Sequence, residues 1–111
     1  MIPQLDLAPL HATIVRDLLA KHVPEVEAWA YGSRVNGSGH AGSDLDLVLR
    51  HPDGVPVTQG QLFALKDAFE ESALPILVDV LDWARLPVAF RRKIERAHVI
   101  VQKPGAPFAT A

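Results

Sequence analysis

The feature that most constrains this 111-residue chain is a glycine-rich loop that leads into two closely spaced aspartates. An apolar run ends at Gly32-Ser33, and after ten intervening residues Asp44-Leu45-Asp46 opens a second apolar run. Because Gly32 lacks a Cβ, the backbone can turn sharply there and present N–H groups to an anion. In a strand, residues two apart point to the same face, so Asp44 and Asp46 are predicted to project together. One segment thus combines a backbone suited to phosphate with a pair of carboxylates.

A paired carboxylate site favours a divalent cation. Two like charges about 4 Å apart repel by about 4 kcal/mol at an effective dielectric of about 20. Magnesium removes this repulsion, since it binds a few carboxylate oxygens together with substrate phosphates. Taken singly, a Gly-Ser pair is usually a turn, and an Asp-x-Asp pair is usually a solvated strand face. Their combination at this spacing, with an apolar strand on each side, is far more specific.

Composition narrows the class of protein. The length fits one domain, predicted at residues 1–103, with residues 104–111 as a disordered tail. The net charge of −2 gives no overall attraction to nucleic acid or to an anionic membrane. Cysteine is absent from the sequence, which excludes disulfides and thiolate chemistry. No apolar run approaches the length of a membrane span and the start lacks a basic leader, so we expect a cytoplasmic protein.

Hydrophobic periodicity predicts alternating helices and strands. The aromatic residues Trp29 and Tyr31 share one face of the first strand, and packing in the core is the expectation for both. The last helix is predicted to start at Pro87, to point Phe90, Ile94 and Ala97 inward, and to precede an edge strand. The predicted elements are a helix from Asp6 to His22 capped by Asp6, strands at 25–32 and 44–50, a helix at 59–72, a strand at 76–81, a helix at 87–97 and a strand at 98–102.

A third carboxylate stands in the strand predicted at 76–81, which is apolar on both faces and therefore expected to be central. Burial of Asp79 there is costly without a partner, and a metal site shared with Asp44 and Asp46 would resolve the cost. Asp82 lies three residues on, so strand alternation places it on the opposite face. We interpret Asp82 as a cap for the following turn.

These motifs resemble the signature of the DNA polymerase β-type nucleotidyltransferase superfamily: Gly-Ser, a spacer of this size, Asp-x-Asp in a strand, and a later acidic strand. The order of elements is similar to that of its small members, the minimal nucleotidyltransferases. The resemblance implies the polymerase β-like α/β (α+β) fold, a small mixed sheet flanked by helices. It also implies that Asp44, Asp46 and Asp79 hold two Mg²⁺ ions, and that Gly32 and Ser33 hold the triphosphate of ATP or another nucleotide.

Arg34 and the basic residues of the last helix each have two possible roles. Arg34 follows the Gly-Ser pair directly and is a candidate contact for the triphosphate, because a guanidinium suits phosphate oxygens; the alternative is a surface arginine. The last helix carries the basic residues Arg91, Arg92, Lys93 and Arg96. This basic face is either simply solvated or a docking surface for nucleic acid or an acidic partner.

The family resemblance implies Mg²⁺-dependent transfer of AMP onto a hydroxyl of a partner protein. Many family members pair with a helical HEPN-domain ribonuclease toxin, and this chain would then be the antitoxin. Since it lacks the additional domains of larger relatives, it is expected to use the surface of a partner or an oligomer. The alternatives are transfer to a small hydroxyl compound such as an aminoglycoside, a binding antitoxin without catalysis, and an α/β domain whose acids are only structural.

Overall fold

Helices and strands alternate along the part of the chain that the computed structural model describes, residues 4–105. The elements are α1 (Pro9–His22), β1 (Glu27–Tyr31), α2 (Ser33–Asn36), β2 (Leu45–Arg50), α3 (Gln59–Glu71), β3 (Val78–Asp82), a 3₁₀ turn (Trp83–Arg85), α4 (Val88–Arg96) and β4 (Val99–Gln102). None of the helices in this range has the length and apolar character needed to cross a bilayer.

The four strands form one mixed sheet in the order β3-β2-β1-β4. β1 runs antiparallel to both β2 and β4, whereas β2 and β3 are parallel. The prediction of a small mixed sheet flanked by helices is therefore confirmed, and β4 lies at an edge as expected. The prediction that β3 is central was wrong, since it occupies the opposite edge. β3 has apolar residues on both faces because side chains pack against each face. Val80 packs in the main core, and Leu81 packs on the other face near the 3₁₀ turn.

One face of the sheet makes the main core. Ala28 and Ala30 of β1 alternate inward with residues of β2, and α1 and α3 pack over them. Each fully buried leucine stabilises the fold by roughly 1.5–3 kcal/mol relative to an exposed one. The largest side chains of this core with almost no exposure are Val15, Leu19, Val23, Val26, Leu45, Leu47, Leu49, Leu65 and Val80.

The other face of the sheet is only partly covered. Trp29, Val48 and Ile94 form a small second cluster beneath α4. Next to it, the Arg50 guanidinium lies over the Trp29 ring at 4.2 Å, and its Nη1 donates to Glu27 Oε1 at 2.8 Å. Because α4 is short, it does not extend over the remainder of this face, which is where the acidic residues lie.

Several predicted ends differ from the structure. The N-cap of α1 is Ala8 rather than Asp6, and Pro9 opens the helix. The backbone N–H of Asp6 instead donates to the Arg34 carbonyl at 2.7 Å, which ties the chain before α1 to α2. Pro87 is the N-cap of α4 rather than its first residue. Gly105 donates its N–H to the Pro24 carbonyl at 2.8 Å, and the rest of the predicted tail, 106–111, lies outside the described residues.

Candidate active site

Three polar side chains stand in one row across the partly covered face of the sheet. Tyr31 of β1 pairs with Asp46 of β2, and Asp46 pairs with Asp79 of β3. Residues paired in register point to the same face, so the phenol and both carboxylates project together. Asp44 lies two residues before Asp46, immediately ahead of β2. The sheet therefore aligns Asp46 with Asp79, and Asp44 lies close enough for its charge to act on Asp46.

The electrostatics of this row agree with that arrangement. Burial is the main cause of the raised pKa of Asp46, and the neighbouring charges of Asp79 and then Asp44 add to it. The pKa of Tyr31 is raised well above its usual range by burial and by the charges of Asp46 and Asp79, so its phenol stays protonated. Within residues 4–105, none of these three aspartates forms an ion pair with a basic side chain. The row therefore carries a concentration of negative charge that nearby protein groups do not neutralise.

The donor set fits a hard divalent cation, because carboxylate oxygens are the ligands that Mg²⁺ prefers. Among the described residues, no group of three acidic, histidine or cysteine side chains already has an arrangement that could hold a metal ion. Asp44 and Asp79 are exposed and Asp46 is half-buried, so all three carboxylates are open to an incoming ion. The fit therefore rests on the chemistry and clustering of the carboxylates.

Gly32 has a conformation that only glycine adopts easily. Its φ of 79° and ψ of −152° lie in a region that is strained for any residue with a side chain. A Cβ at this position would also collide with Oδ2 of Asp46. The turn after β1 therefore brings bare backbone against the central carboxylate, as the Gly-Ser motif predicts.

Ser33 is the first residue of α2, and Gly32 is its N-cap. The N–H of Val35 donates to the Gly32 carbonyl at 3.1 Å, which closes the turn. Gly39 folds back over this turn, and a Cβ on it would lie 2.9 Å from the Ser33 carbonyl oxygen. The loop is thus packed closely onto α2, with Ser33 half-buried beside the acidic row.

Arg34 does not have the phosphate-contacting geometry that its position suggested. Its side chain is 6% exposed, and its guanidinium is occupied by backbone carbonyls. Nε donates to Ser43 at 2.9 Å, Nη1 to Asp6 at 2.7 Å, and Nη2 to His40 and Ala41 at 3.2 and 3.0 Å. Both the phosphate interpretation and the surface interpretation were wrong. Arg34 holds the loop that ends at Ser43, directly before Asp44.

Asp82 has the structural role predicted for it. Its carboxylate accepts a hydrogen bond from the N–H of Ala84 at 3.3 Å and so caps the 3₁₀ turn. It also accepts from the N–H of Val57 at 3.0 Å and pairs with Arg85 at 3.3 Å. It lies opposite Leu49 in the sheet and is buried on the side of the main core, away from Asp79.

The basic face of α4 is smaller than predicted. Arg91 is half-buried, and its guanidinium donates to the carbonyls of Trp83 and Ala84 at 2.9 and 3.1 Å. Arg92, Lys93 and Arg96 are exposed. The exposed positive charge therefore lies on the remaining part of the helix.

Comparison with known families matches residues 12–103 to the nucleotidyltransferase domain. The chain belongs to this family. The prediction of a nucleotidyltransferase enzyme, made from the Gly-Ser turn and the acidic strands, is confirmed. The match covers most of the sequence, including every acidic residue of the row.

Two relatives of this nucleotidyltransferase extend the comparison. It is 40% identical over 100 residues to the probable protein adenylyltransferase MntA of Haemophilus influenzae, with 90% of this chain and 86% of that protein covered. Among solved structures, it is similar to a toxin–antitoxin crystal structure with AMP-PNP, with a TM-score of 0.67 and 19% identity. That match covers 81% of this chain and 71% of the other, and it confirms the predicted fold. Together these relatives confirm the resemblance to the minimal nucleotidyltransferases.

Sequence reasoning missed two features of the site. Tyr31 was assigned to core packing, whereas it is half-buried and aligned with Asp46 and Asp79. Phe90 was expected to point inward, yet it is 38% exposed and lies edge-on to Tyr31 at 6.0 Å. The position of Tyr31 immediately before Gly32 was the available signal, because the end of β1 must border whatever the turn binds.

Proposed function

We propose that this nucleotidyltransferase moves AMP from ATP to a hydroxyl of a partner protein, and that the partner is a HEPN-type ribonuclease toxin whose antitoxin it is. The observation that carries the proposal is that Asp44 and Asp79 neighbour Asp46, whose carboxylate lies against the bare backbone of Gly32. The similarity to a probable protein adenylyltransferase and to a toxin–antitoxin structure supports the acceptor class.

Each residue has an assigned role in this proposal. Asp44, Asp46 and Asp79 hold Mg²⁺, with two ions in the full site, while Gly32 and Ser33 hold the phosphates. The bound metal supplies positive charge that offsets the charge developing at the α-phosphate and on the leaving group. Gly32 permits the close approach because it has no side chain to collide with the Asp46 carboxylate.

The reaction is an in-line displacement at the α-phosphorus. The acceptor oxygen forms a bond to phosphorus, the bond from that phosphorus to the oxygen bridging the β-phosphate breaks, and pyrophosphate leaves with the electron pair. Asp79, whose side chain is exposed on the edge strand β3, accepts the proton of the acceptor hydroxyl. An acceptor approaching from solvent reaches this edge without displacing α4.

The test is transfer of label from α-labelled ATP to the co-expressed partner in the presence of Mg²⁺. Asp44→Asn combined with Asp46→Asn should lower the rate by at least about 100-fold, because the charge that holds the metal is removed. Asp67→Asn, at an exposed position on α3, is the matched control and should retain full activity. A chelator should abolish transfer by the wild type, and added Mg²⁺ should restore it.

Other outcomes of the same assay discriminate the alternatives. Unchanged transfer by the double variant would contradict the assignment of the carboxylates. Neutralisation of the toxin by a variant without transfer activity would favour a binding antitoxin. Labelling of an aminoglycoside but not of the partner would favour a small-molecule acceptor.

A further inference from the structure

We propose that the outward side of α4, formed by Val88, Arg92 and Arg96, binds an acidic patch on the surface of the acceptor protein. This inference rests on the proposed function, because it assigns the acceptor to a second surface beside the same site. α4 carries four basic residues and one acidic residue, in a chain whose net charge is −2. By contrast, α3 carries one lysine and three acidic residues. Positive charge is therefore concentrated on α4.

The outward side of α4 is defined by the spacing of its residues. Val88, Arg92 and Arg96 are four residues apart, so they line up along the helix. Each arginine lies two residues from Ile94, which corresponds to a rotation of about 200° around the helix axis. Ile94 is buried against the sheet in the small second cluster. The two arginines therefore point away from the sheet, and both are exposed to solvent.

The charges of the two arginines are not neutralised by neighbouring side chains. Within residues 4–105, neither Arg92 nor Arg96 forms an ion pair, and Glu95, the single acidic residue of the helix, does not bridge them. Like charges four residues apart on a helix repel one another. Carboxylates of a partner would remove this repulsion, since a guanidinium binds a carboxylate through two parallel hydrogen bonds. The outward side of α4 therefore has the charge and spacing to recognise an acidic surface.

α4 packs on the same face of the sheet that carries the acidic row. The ring of Phe90 lies 6.0 Å from that of Tyr31, which pairs with Asp46. Asp79 lies two strands from Tyr31, which corresponds to about 10 Å. A protein that rests on α4 therefore overhangs the uncovered part of this face, where its hydroxyl can reach Asp79. The positive helix and the negative row also orient an acidic patch, since only the helix attracts it.

A protein fits this surface better than a nucleic acid does. Proteins that bind nucleic acid commonly contact about 6–10 phosphates, whereas the exposed basic residues of α4 are Arg92, Lys93 and Arg96. Val88 is 59% exposed and lies beside the arginines, so it offers an apolar contact of the kind found in protein interfaces. A chain of phosphates that continued past α4 would meet the carboxylates of the acidic row, which repel it.

The test measures transfer of label from α-labelled ATP as a function of the concentration of the purified partner. Arg92→Glu combined with Arg96→Glu should raise the KM for the partner at least about tenfold, because attraction becomes repulsion, and should leave kcat and the KM for ATP unchanged. Arg16→Glu combined with Lys21→Glu is the matched control, since it makes the same change of charge at exposed positions on α1. It should change none of these constants.

A neutral variant and added salt separate attraction from repulsion. Arg92→Gln combined with Arg96→Gln keeps good helix formers, so the fold is retained, and the KM for the partner should rise by a smaller factor. Raising the ionic strength from about 0.01 M to about 0.15 M shortens the Debye length from about 30 Å to about 8 Å. The KM of the wild type should therefore rise with salt, while that of the glutamine variant should change little.

Three results would overturn the inference. The first is a KM for the partner that is the same in the wild type and in both α4 variants. The second is an equal rise in KM for the α1 control, because the position of the charge would then be irrelevant. The third is binding of single-stranded oligouridine by the wild type that the α4 glutamate variant loses, because the surface would then bind nucleic acid.

Complex formation with the partner, measured by calorimetry without ATP, distinguishes failure of this inference from failure of the proposed function. If the wild type and both α4 variants label and bind the partner equally well, only the inference is wrong. If the wild type binds the partner through the α4 arginines but labels no protein, the docking surface stands and the proposed transfer is wrong. If the wild type neither binds nor labels the partner, both are wrong.

Discussion

The two faces of the sheet differ in how much of each is covered by helices. The face toward α1 and α3 is closed by apolar side chains, and Leu45, Leu47 and Leu49 are fully buried on it. On the other face, α4 covers only the part around Trp29, and Asp46 and Asp79 are left accessible. The same strand β2 contributes to both faces through its alternation. The closed face thus supplies stability, and the open face is where ligand binding can occur.

The largest effect on stability is expected on the closed face. Leu47→Ala should lower the free energy of unfolding by about 3–4 kcal/mol, because it removes buried methyl groups and leaves a cavity. Denaturant unfolding measures this change. Leu77→Ala is the control, since that side chain is 72% exposed. A similar loss of unfolding free energy in Leu77→Ala would contradict the claim that burial causes the effect.

Arg34 connects the closed side of the molecule to the site, and Arg34→Lys should cost about 2 kcal/mol of unfolding free energy. Lysine cannot donate to all four carbonyls that the guanidinium now contacts, and a hydrogen bond to a charged group contributes about 1.5–3 kcal/mol. The rate of AMP transfer should also fall, because the loop before Asp44 loses its support. Arg16→Lys on the exposed face of α1 should change neither quantity.

Gly32→Ala separates backbone strain from steric conflict at the site. Strain at this φ should cost about 1–2 kcal/mol of stability, and the collision with Asp46 should greatly reduce nucleotide transfer. Gly54→Ala provides the matched control, because Gly54 has a φ of 73° with open space around it. It should lose some stability but retain transfer, and equal activity of the two variants would contradict the close-approach argument.

The smallest effect is a gain in stability on the open face. The raised pKa of Asp46 means that its neutral form is favoured in the folded state, so its contribution to stability falls as pH rises through that pKa. Asp46→Asn should therefore raise the melting temperature slightly at pH 7 without Mg²⁺. The difference should vanish below the ordinary pKa of aspartate, and a destabilised Asn variant at pH 7 would contradict the cost of the buried charge and of its acidic neighbours.

The closed face could be predicted well from the sequence, because apolar periodicity reports burial directly. Leu62, Leu65 and Phe69 recur at helical spacing in the helix predicted at 59–72 and are buried, and Leu45, Leu47 and Leu49 alternate along β2 and are buried on one face. The sequence could not predict that β3 lies at an edge of the sheet, because an edge strand that is covered on both faces has the same apolar pattern as a central strand. Asp79 was expected to be buried, but it is exposed because the face of the sheet on which it lies is only partly covered.

The open face was predictable only where local spacing fixes geometry. Asp46 and the Gly32 turn follow from alternation and from the conformational freedom of glycine. The contact of Arg34 with Asp6 joins residues 28 positions apart, and no local pattern records it. The partial exposure of Phe90 depends on how α4 packs on the sheet, and this packing is also a tertiary property.

The most direct test of the central claim is the affinity for Mg²⁺ in the presence of AMP-PNP, measured by calorimetry on Asp79→Asn and on Asp67→Asn. If the carboxylate of Asp79 joins those of Asp44 and Asp46 in one cation site, Asp79→Asn should weaken Mg²⁺ binding at least about tenfold. Asp67→Asn should bind as the wild type does. Equal Mg²⁺ affinity of the two variants would contradict the site.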